Sequence, residues 1–418
     1  KTTSISNVGA WVGVTTALVN GQKHVVKIEL NRNLKGAIPS SIKDLTQLQE
    51  MTLTYGSSSS SARTELISIA KEIGELDNLE RLVLRNQKLS SLPDEIGNMD
   101  KLKYLDVSNN ELTSLPAGIG NFMALEELHL QYQQQVDVNP RVQTLTNLPD
   151  EIGNITSLKK LYLQHNGLAS LPTTIGNLVN LEELRLSEYY ASGGNNLTSL
   201  PTTIGNLSSL KLLYVADNKL ASLPDEIGDL SNLEDLNIEG NTTYENGEYT
   251  YHLTTIPTTI NNLTALKSFR ANNNHIIGTI DLSNLVNLTN LDFYQNRITG
   301  LKLGRSPFNI GLTSNPNLSC IEVSTTELTN WETSRYNSTS YIDNGVAFSD
   351  DCSGYTVPQA EREALIDFYL AVGGGLDTSD ENTTWTGTFW DVDKTTSISN
   401  VGAWVGVTTA LVNGQKHV

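Results

Sequence analysis

Residues 79–101 read LERLVLRNQKLSSLPDEIGNMDK, and residues 102–124 read LKYLDVSNNELTSLPAGIGNFMA. Both stretches have 23 residues and follow the pattern LxxLxLxxNxLxxLPxxIGNL with a few substitutions, such as Gln87 for Asn and Val107 for Leu. Positions are counted here from the first Leu. The pattern returns at 158–180 and 210–232, and longer or imperfect copies start at Leu48, Leu125, Leu181, Leu233, Leu266 and Leu288. Copies in register at this period indicate a repeat architecture in which each copy packs on its neighbours.

The residue types within one copy predict its local structure. The apolar residues at positions 4 and 6 alternate as in a short strand with one buried face. Asn at position 9, as in Asn110 and Asn166, can hydrogen-bond backbone groups of the following turn. Pro then ends the strand geometry because it lacks an N–H and fixes φ. One copy cannot bury its apolar face alone, so we expect the copies to stack.

This pattern resembles the leucine-rich repeat family over about residues 25–320. The resemblance implies a curved α/β solenoid with a parallel sheet on its concave side and short irregular or 3-10 segments on its convex side. We assign this solenoid to residues 26–304 and expect a cap at each end, because an open solenoid exposes its core.

Position 2 of successive repeats provides a check on the register. Opposite charges on neighbouring strands, some 4.8 Å apart, stabilise the pairing, and a slip by one repeat would oppose like charges. The residues alternate in sign along the whole column: Glu80, Lys103, Glu126, Lys159, Glu182, Lys211, Glu234 and Lys267.

Residues 305–352 are expected to form the C-terminal cap. The segments NPNLSCIEV (315–323) and FSDDC (348–352) resemble the C-terminal caps of leucine-rich surface proteins from Bacteroidota-type bacteria. The chain has two cysteines, Cys320 and Cys352, which the residues alone leave open as two free thiols or a disulfide. The cap resemblance implies the disulfide, and with it an oxidising compartment.

Residues 394–418 repeat residues 1–25 letter for letter. This predicts one period of a tandem array followed by the start of the next, with 1–25 as the second half of an N-terminal cap. Residues 353–418 would then hold the junction and the cap of the next unit. A predicted helix and the WVGVTT segment resemble the plant-type cap, but Gly9 and Thr16 replace its usual cysteines. The junction residues are Leu365, Phe368, Val372, Trp385 and Trp390.

Four repeats carry extra residues after the strand, at 54–65, 131–143, 188–196 and 242–252. Tyrosine with Gly, Asn and Gln is typical of recognition surfaces, although the same tyrosines can pack the loops onto the sheet rim or against a neighbouring unit. The candidate contact residues are Tyr55, Tyr132, Tyr189, Tyr190, Tyr244, Tyr249 and Tyr251.

Position 5 predicts a polar stripe on the concave face that could bind a glycan or a peptide, as such faces do in the family. It consists of Val83, Asp106, His129, Tyr162, Arg185, Tyr214, Asn237, Arg270 and Asp292. His129 and His165 lie on or near this face, but the sequence places no third metal ligand beside them. We therefore predict no metal and no cofactor.

Composition excludes several partners. The net charge is −18, from 46 acidic and 28 basic residues, which disfavours nucleic acid and anionic membrane surfaces. No apolar run approaches the roughly 20 residues that span a bilayer. Signatures of hydrolases, phosphate-binding loops and zinc proteases are absent from the sequence, so no enzymatic activity is predicted.

The tandem repetition favours a secreted bacterial surface protein whose units join head to tail into an extracellular filament or stalk, with copies of itself as partners. The alternative is an adhesive or ligand-binding cell-surface ectodomain, with a glycan or protein ligand, in which repeated units supply avidity.

Overall fold

The computed structural model describes residues 12–32, 34–54, 65–135, 142–188, 194–245, 247–305, 309–324, 342, 346–352, 410–412 and 415–417. The chain divides into two compact units, residues 1–241 and 242–418. The predicted junction residues Leu365, Phe368, Val372, Trp385 and Trp390 lie outside the described residues, as do Tyr55, Tyr189 and Tyr190. Within the described part of the chain, no helix has the length and apolar character needed to cross a membrane.

The strands of the first unit are mostly short, and each repeat contributes one of them to the main sheet. They are β1 (Val14–Val19), β2 (Gln22–Asn31), β3 (Lys35–Ile38), β4 (Glu50–Thr54), β5 (Glu65–Ile69), β6 (Arg81–Val83), β7 (Tyr104–Asp106), β8 (Glu127–His129), β9 (Gln134–Gln135), β10 (Val142–Gln143), β11 (Lys160–Tyr162), β12 (Glu183–Arg185), β13 (Leu212–Tyr214) and β14 (Asp235–Asn237). The main sheet has the order β1-β2-β4-β6-β7-β8-β11-β12-β13-β14. Its β1–β2 pair is antiparallel, and its other pairs are parallel.

The second unit repeats this construction and contains a second sheet. Its strands are β15 (Thr242–Glu245), β16 (Glu248–Tyr251), β17 (Ser268–Arg270), β18 (Ile277–Leu282), β19 (Asn290–Asp292), β20 (Arg297–Leu303), β21 (Asn309–Gly311), β22 (Cys320–Val323), β23 (Ala347–Ser349), β24 (Ala410–Val412) and β25 (Gln415–His417). Strands β17, β19 and β21 pair in parallel, and β18, β20, β22 and β23 form a second parallel sheet.

Packing follows the repeat positions. Leu82, Leu105 and Leu128 occupy position 4 of consecutive repeats, pair in register across β6, β7 and β8, and have 0% exposure. Asn110 at position 9 donates from Nδ2 to the carbonyls of Leu84 (2.9 Å) and Val107 (2.8 Å) and accepts the Leu89 N–H (3.1 Å). The predicted bonding of the position 9 Asn to turn backbone is therefore confirmed.

Short 3-10 helices lie opposite the strands. Their bounds are Ser40–Asp44, Lys71–Glu75, Asp94–Asn98, Ala117–Asn121, Asp150–Asn154, Thr173–Asn177, Thr202–Asn206 and Asp225–Asp229 in the first unit and Thr258–Asn262 in the second. The Gly of IGNL allows these helices to approach closely. A β-carbon on Gly97 would overlap the carbonyl oxygen of Gly118 in the next repeat.

The charge column forms ion pairs between neighbouring repeats, as its alternation predicts. Lys103, Lys159 and Lys211 each bond a Glu of the preceding repeat, at 2.8, 2.9 and 2.7 Å: Glu80, Glu126 and Glu182. Lysine and partner are exposed in each pair, so the pairs add little to stability and serve mainly to keep the register.

A disulfide joins Cys320 and Cys352, with Cα atoms 5.8 Å apart, which confirms the predicted pairing. Cys320 begins β22, so the bridge ties the last repeat of the second unit to the segment that follows β23. The free-thiol alternative is excluded in this structure.

The duplicated segment forms the same hairpin twice. In the first copy Ala17 pairs with His24, Leu18 with Lys23 and Val19 with Gln22. In the second copy the residues with the same letters pair identically, as Ala410–His417, Leu411–Lys416 and Val412–Gln415. Identical sequence therefore gives identical register at both places.

Candidate binding face

A continuous ladder of rings and guanidinium groups crosses six strands of the first unit. We call Arg81, Tyr104, His129, Tyr162, Arg185 and Tyr214 the ring ladder. The Arg81 guanidinium lies 3.6 Å from the centre of the Tyr104 ring, and the centroids are 4.9 Å apart for Tyr104–His129 and 4.3 Å for His129–Tyr162. Arg185 lies 5.7 Å from Tyr162 and 5.1 Å from Tyr214. Because neighbouring strands are about 4.8 Å apart, successive side chains on one face stack directly.

Carboxylates compensate the charges of the ladder. Glu127 accepts a hydrogen bond from Lys160 (3.0 Å) and lies 3.5 Å from His129 Nε2. Arg185 Nε bonds Glu183, and the Tyr214 hydroxyl donates to Asp235 (2.9 Å). Burial lowers the pKa of His129 below its ordinary value, against the opposing effect of Asp106 and Glu127. The face therefore carries paired charges and a neutral imidazole at pH 7.

Position 7 places polar atoms without partners beside this ladder. Gln131 Oε1, Gln164 Oε1 and Ser187 Oγ are buried and have no hydrogen-bond partner among the described residues. We call these three residues the polar row. Gln164 is 5% exposed and Ser187 is 0% exposed. A buried polar atom that lacks a partner costs about 1–3 kcal/mol, so the row is expensive unless solvent or a ligand completes it.

Position 7 can be satisfied internally, although Arg85 Nε and Asn272 Oδ1 at the same position of other repeats also lack a partner among the described residues. Ser108, at the same position of the repeat that begins at Leu102, donates its hydroxyl to Asp106 (2.6 Å). In the repeats of the polar row the residues at position 5 are His129, Tyr162 and Arg185, which belong to the ring ladder instead.

Position 8 holds the chain in the left-handed region in most repeats. Asn86 and Asn109 have φ of 61° and 54°, and Asn tolerates this conformation. At the same position Tyr132 and His165 have φ of 64° and 53°. Bulky side chains rarely adopt such angles, and positions of this kind concentrate at functional sites.

The two left-handed residues form a second stack, next to the polar row. The Tyr132 and His165 rings are nearly parallel at 17°, with centroids 4.2 Å apart, and the Tyr132 hydroxyl donates to Glu188 (2.9 Å). We call these three residues the edge stack. Burial raises the pKa of Tyr132 and lowers that of His165.

Three consecutive repeats, beginning at Leu125, Leu158 and Leu181, thus bring together the middle of the ring ladder, the polar row and the edge stack. We call this the three-repeat site. Two of the long insertions, 131–143 and 188–196, begin at its edge. In the described part of the chain, no three His, Cys, Asp or Glu side chains are placed to hold a metal ion.

The predicted tyrosine contacts divide into two groups. Tyr132 packs inside the three-repeat site, as in the rim-packing alternative. Tyr244, Tyr249 and Tyr251 project from the β15–β16 hairpin of the second unit, with exposures of 62%, 63% and 41%. Their rings form a chain with centroid distances of 4.7 and 6.3 Å.

Sequence reasoning found part of the site and missed part. Position 5 predicted His129, Tyr162 and Arg185, but not that Arg81 and Tyr104 at position 3 continue the same row. The polar row was not predicted either. The sequence did contain a signal for this row. Position 7 lies on the same side of the strand as positions 3 and 5, and it holds the polar residues Gln and Ser next to buried leucines.

Comparisons with known proteins agree with this fold. A family model described as leucine-rich repeat region matches residues 23–148, and a second, described as leucine rich repeat, matches residues 157–178. The chain folds as a leucine-rich repeat solenoid, and these matches support a leucine-rich repeat protein. A search of curated proteins finds no match.

Solved structures with this fold come from bacteria and plants. A leucine-rich repeat protein of Leptospira interrogans is 27% identical, with 75% of this chain and 74% of that chain covered and a TM-score of 0.46. An internalin of Listeria monocytogenes is 15% identical, with 78% and 86% covered and a TM-score of 0.50. The Arabidopsis receptor kinase HAESA, in complex with a peptide hormone and a co-receptor, is 22% identical, with 76% and 58% covered and a TM-score of 0.51. The chain thus spans little more than half of that receptor chain.

Proposed function

We propose that this protein is an extracellular or cell-surface binding module that takes a glycan or peptide ligand at the three-repeat site. The observation that carries the proposal is the polar row, whose buried oxygens find no partner among the described residues. Packing alone would favour apolar residues at these places, because replacing an unpaired buried polar group by an apolar one of the same shape is stabilising.

The edge stack supports the same location. Tyr132 and His165 stand where other repeats use Asn, so the chain accepts backbone strain to place two aromatic rings there. Tyrosine offers a large, rigid contact area with a polar tip, which suits recognition. The disulfide fits an oxidising environment outside the cytoplasm. HAESA binds a peptide hormone, but the similarity between HAESA and this chain concerns the fold alone.

The test is a binding screen with the full 418-residue chain on one array that carries both glycans and unstructured peptides. A Gln131→Met/Gln164→Met variant should lose the binding, while Lys159→Gln, in the same repeats but at the exposed position 2, should keep it. Failure of the chain to bind any member of either class, or equal binding by both variants, would refute the proposal.

The filament remains a second candidate, favoured by the duplicated segment and by its identical hairpin register. In this proposal tandem units of a bacterial surface protein join head to tail through a plant-type cap. Electron microscopy of native material should show rods. Phe368→Ala should shorten them more than Arg185→Ala, because truncating a Phe that covers the start of the next solenoid would cost about 3–5 kcal/mol. The reverse order, or isolated monomers, would exclude it.

A further inference from the structure

The chemistry of the three-repeat site selects between the two ligand classes. We propose that it binds an uncharged, hydroxyl-rich glycan chain that runs across the strands, with about one sugar residue per strand. This inference rests on the proposed binding function and adds the class of ligand.

The unpartnered atoms of the polar row require a ligand whose groups both donate and accept hydrogen bonds. Gln131 Oε1 and Gln164 Oε1 accept, whereas Ser187 Oγ can do both. Arg85 Nε, at position 7 two repeats before Gln131, is a buried donor that also lacks a partner among the described residues. Sugar hydroxyls satisfy all of these atoms with one kind of group, since each hydroxyl has one donor and two acceptor sites.

Charge argues for a neutral ligand. The cations of the site are already paired, Lys160 with Glu127 and Arg185 with Glu183. An ionic ligand would have to break these pairs and leave a partly buried carboxylate or guanidinium without its partner, which is costly. The net charge of −18 also disfavours acidic glycans at long range.

Spacing argues against an extended peptide along the row. The row advances by one strand, about 4.8 Å, per residue, whereas side chains on one side of an extended peptide recur every two residues, about 6.6 Å. Over three strands, the side chains of such a peptide would therefore no longer lie opposite the residues of the polar row. A sugar residue in an extended glycan is comparable in length to one strand spacing, so its hydroxyls stay in step with Gln131, Gln164 and Ser187.

The edge stack supplies an aromatic wall for such a chain. Tyr132 and His165 lie at position 8, directly after Gln131 and Gln164, and the Tyr132 N–H donates to the Gln164 carbonyl (2.9 Å). Aromatic side chains with polar tips match the mixed apolar and hydroxylated surface of a sugar ring.

The decisive experiment compares two glutamines of the same region. Gln164→Met removes an oxygen that has no internal partner, so the variant should unfold at the same or a higher denaturant concentration than the wild type. Gln133→Met is the matched control, because Gln133 is 0% exposed and fully bonded, from Nε2 to the carbonyls of Val107 (2.8 Å) and Leu130 (3.3 Å) and at Oε1 to the Leu112 N–H (3.1 Å). That variant should unfold earlier.

Binding is measured by calorimetry on the full chain with cellohexaose, laminarihexaose, mannohexaose, oligogalacturonate and a set of unstructured peptides. We expect a neutral hexasaccharide to bind and Gln164→Met to weaken it about tenfold, the value of roughly one hydrogen bond. Binding of peptides alone overturns the glycan assignment, and binding of oligogalacturonate alone overturns the requirement that the glycan be uncharged. Either result leaves the proposed function standing. Binding of no probe overturns both, and equal destabilisation by the two substitutions overturns the argument from the polar row.

Discussion

Tyr132 and His165 stack with ring centroids 4.2 Å apart while both backbones lie in the left-handed region. Asn occupies the equivalent place at Asn86 and Asn109 and reaches the same φ with less strain. Asn at these two positions would therefore cost less backbone strain than Tyr132 and His165 do. The fold alone does not require the two aromatic rings, whereas a binding site does.

We expect the double variant Tyr132→Asn/His165→Asn to keep its stability and lose its ligand. Relief of part of the left-handed strain, which amounts to about 1–2 kcal/mol per residue, offsets the lost ring stack of about 0.5–1.5 kcal/mol. Denaturant unfolding together with ligand titration measures both quantities. A large loss of stability with unchanged affinity would mean that the stack only packs the loop onto the rim.

Stability should fall as the pH is lowered from 7 to 5. Burial lowers the folded-state pKa of both His129 and His165, so the unfolded chain binds protons first as the pH falls through the ordinary histidine value. The stabilisation is complete above that value and is lost as the pH falls towards the lowered folded-state pKa values. Glu127 and Asp106 near His129, and Glu188 near His165, reduce the effect without reversing it.

Unfolding midpoints at pH 7 and pH 5, for the wild type and for His129→Gln/His165→Asn, check this dependence. The variant should lose less stability between the two pH values. An equal loss in both proteins would assign the dependence to other groups, such as His275, whose pKa is also lowered by burial.

Asn110→Ala should destabilise the first unit by several kcal/mol. The substitution leaves the carbonyls of Leu84 and Val107 and the N–H of Leu89 buried without this partner, at about 1–3 kcal/mol each. Ser114→Ala, on the exposed surface of the same repeat, is the control and should change stability by less than about 0.5 kcal/mol. Similar effects of the two changes would show that the Asn contacts contribute little.

Reduction of the Cys320–Cys352 bridge should destabilise the predicted C-terminal cap, residues 305–352. The two cysteines are 32 residues apart, and closing a loop of this size stabilises by roughly 3–4 kcal/mol in the chain-entropy model. Cys352→Ser should increase amide exchange in β22 and β20 while β6 to β8 of the first unit stay protected. Unchanged exchange in β22 would contradict a role of the bridge in holding the cap.

The repeat pattern predicted the structure that depends on residues within one repeat. It was less accurate where an insertion or an unusual residue interrupts the repeat. Asn110 and Leu105 could be assigned from spacing alone. In the repeat that begins at Leu181, however, Asn195, which follows an insertion, bonds the carbonyls of Leu163 (3.0 Å) and Leu186 (2.8 Å).

The sequence pattern also failed to predict some backbone conformations. The strands β3 and β5 pair with each other outside the main sheet, in a segment for which the sequence predicted only irregular or 3-10 structure, and Gly36 in β3 has φ of 90°. The left-handed angle of Tyr132 is likewise set by the neighbouring repeats and not by its own preference. Such features depend on tertiary packing, which a single sequence window does not contain.

Amide hydrogen exchange of the full chain, with and without the ligand found on the array, locates the binding site. Bound ligand should slow exchange at residues 129–133, 162–166 and 185–188, and Gln131→Met/Gln164→Met should abolish this protection. Protection confined to the 3-10 side or to the β15–β16 hairpin, with the three-repeat site unchanged, would contradict the proposed location of the ligand.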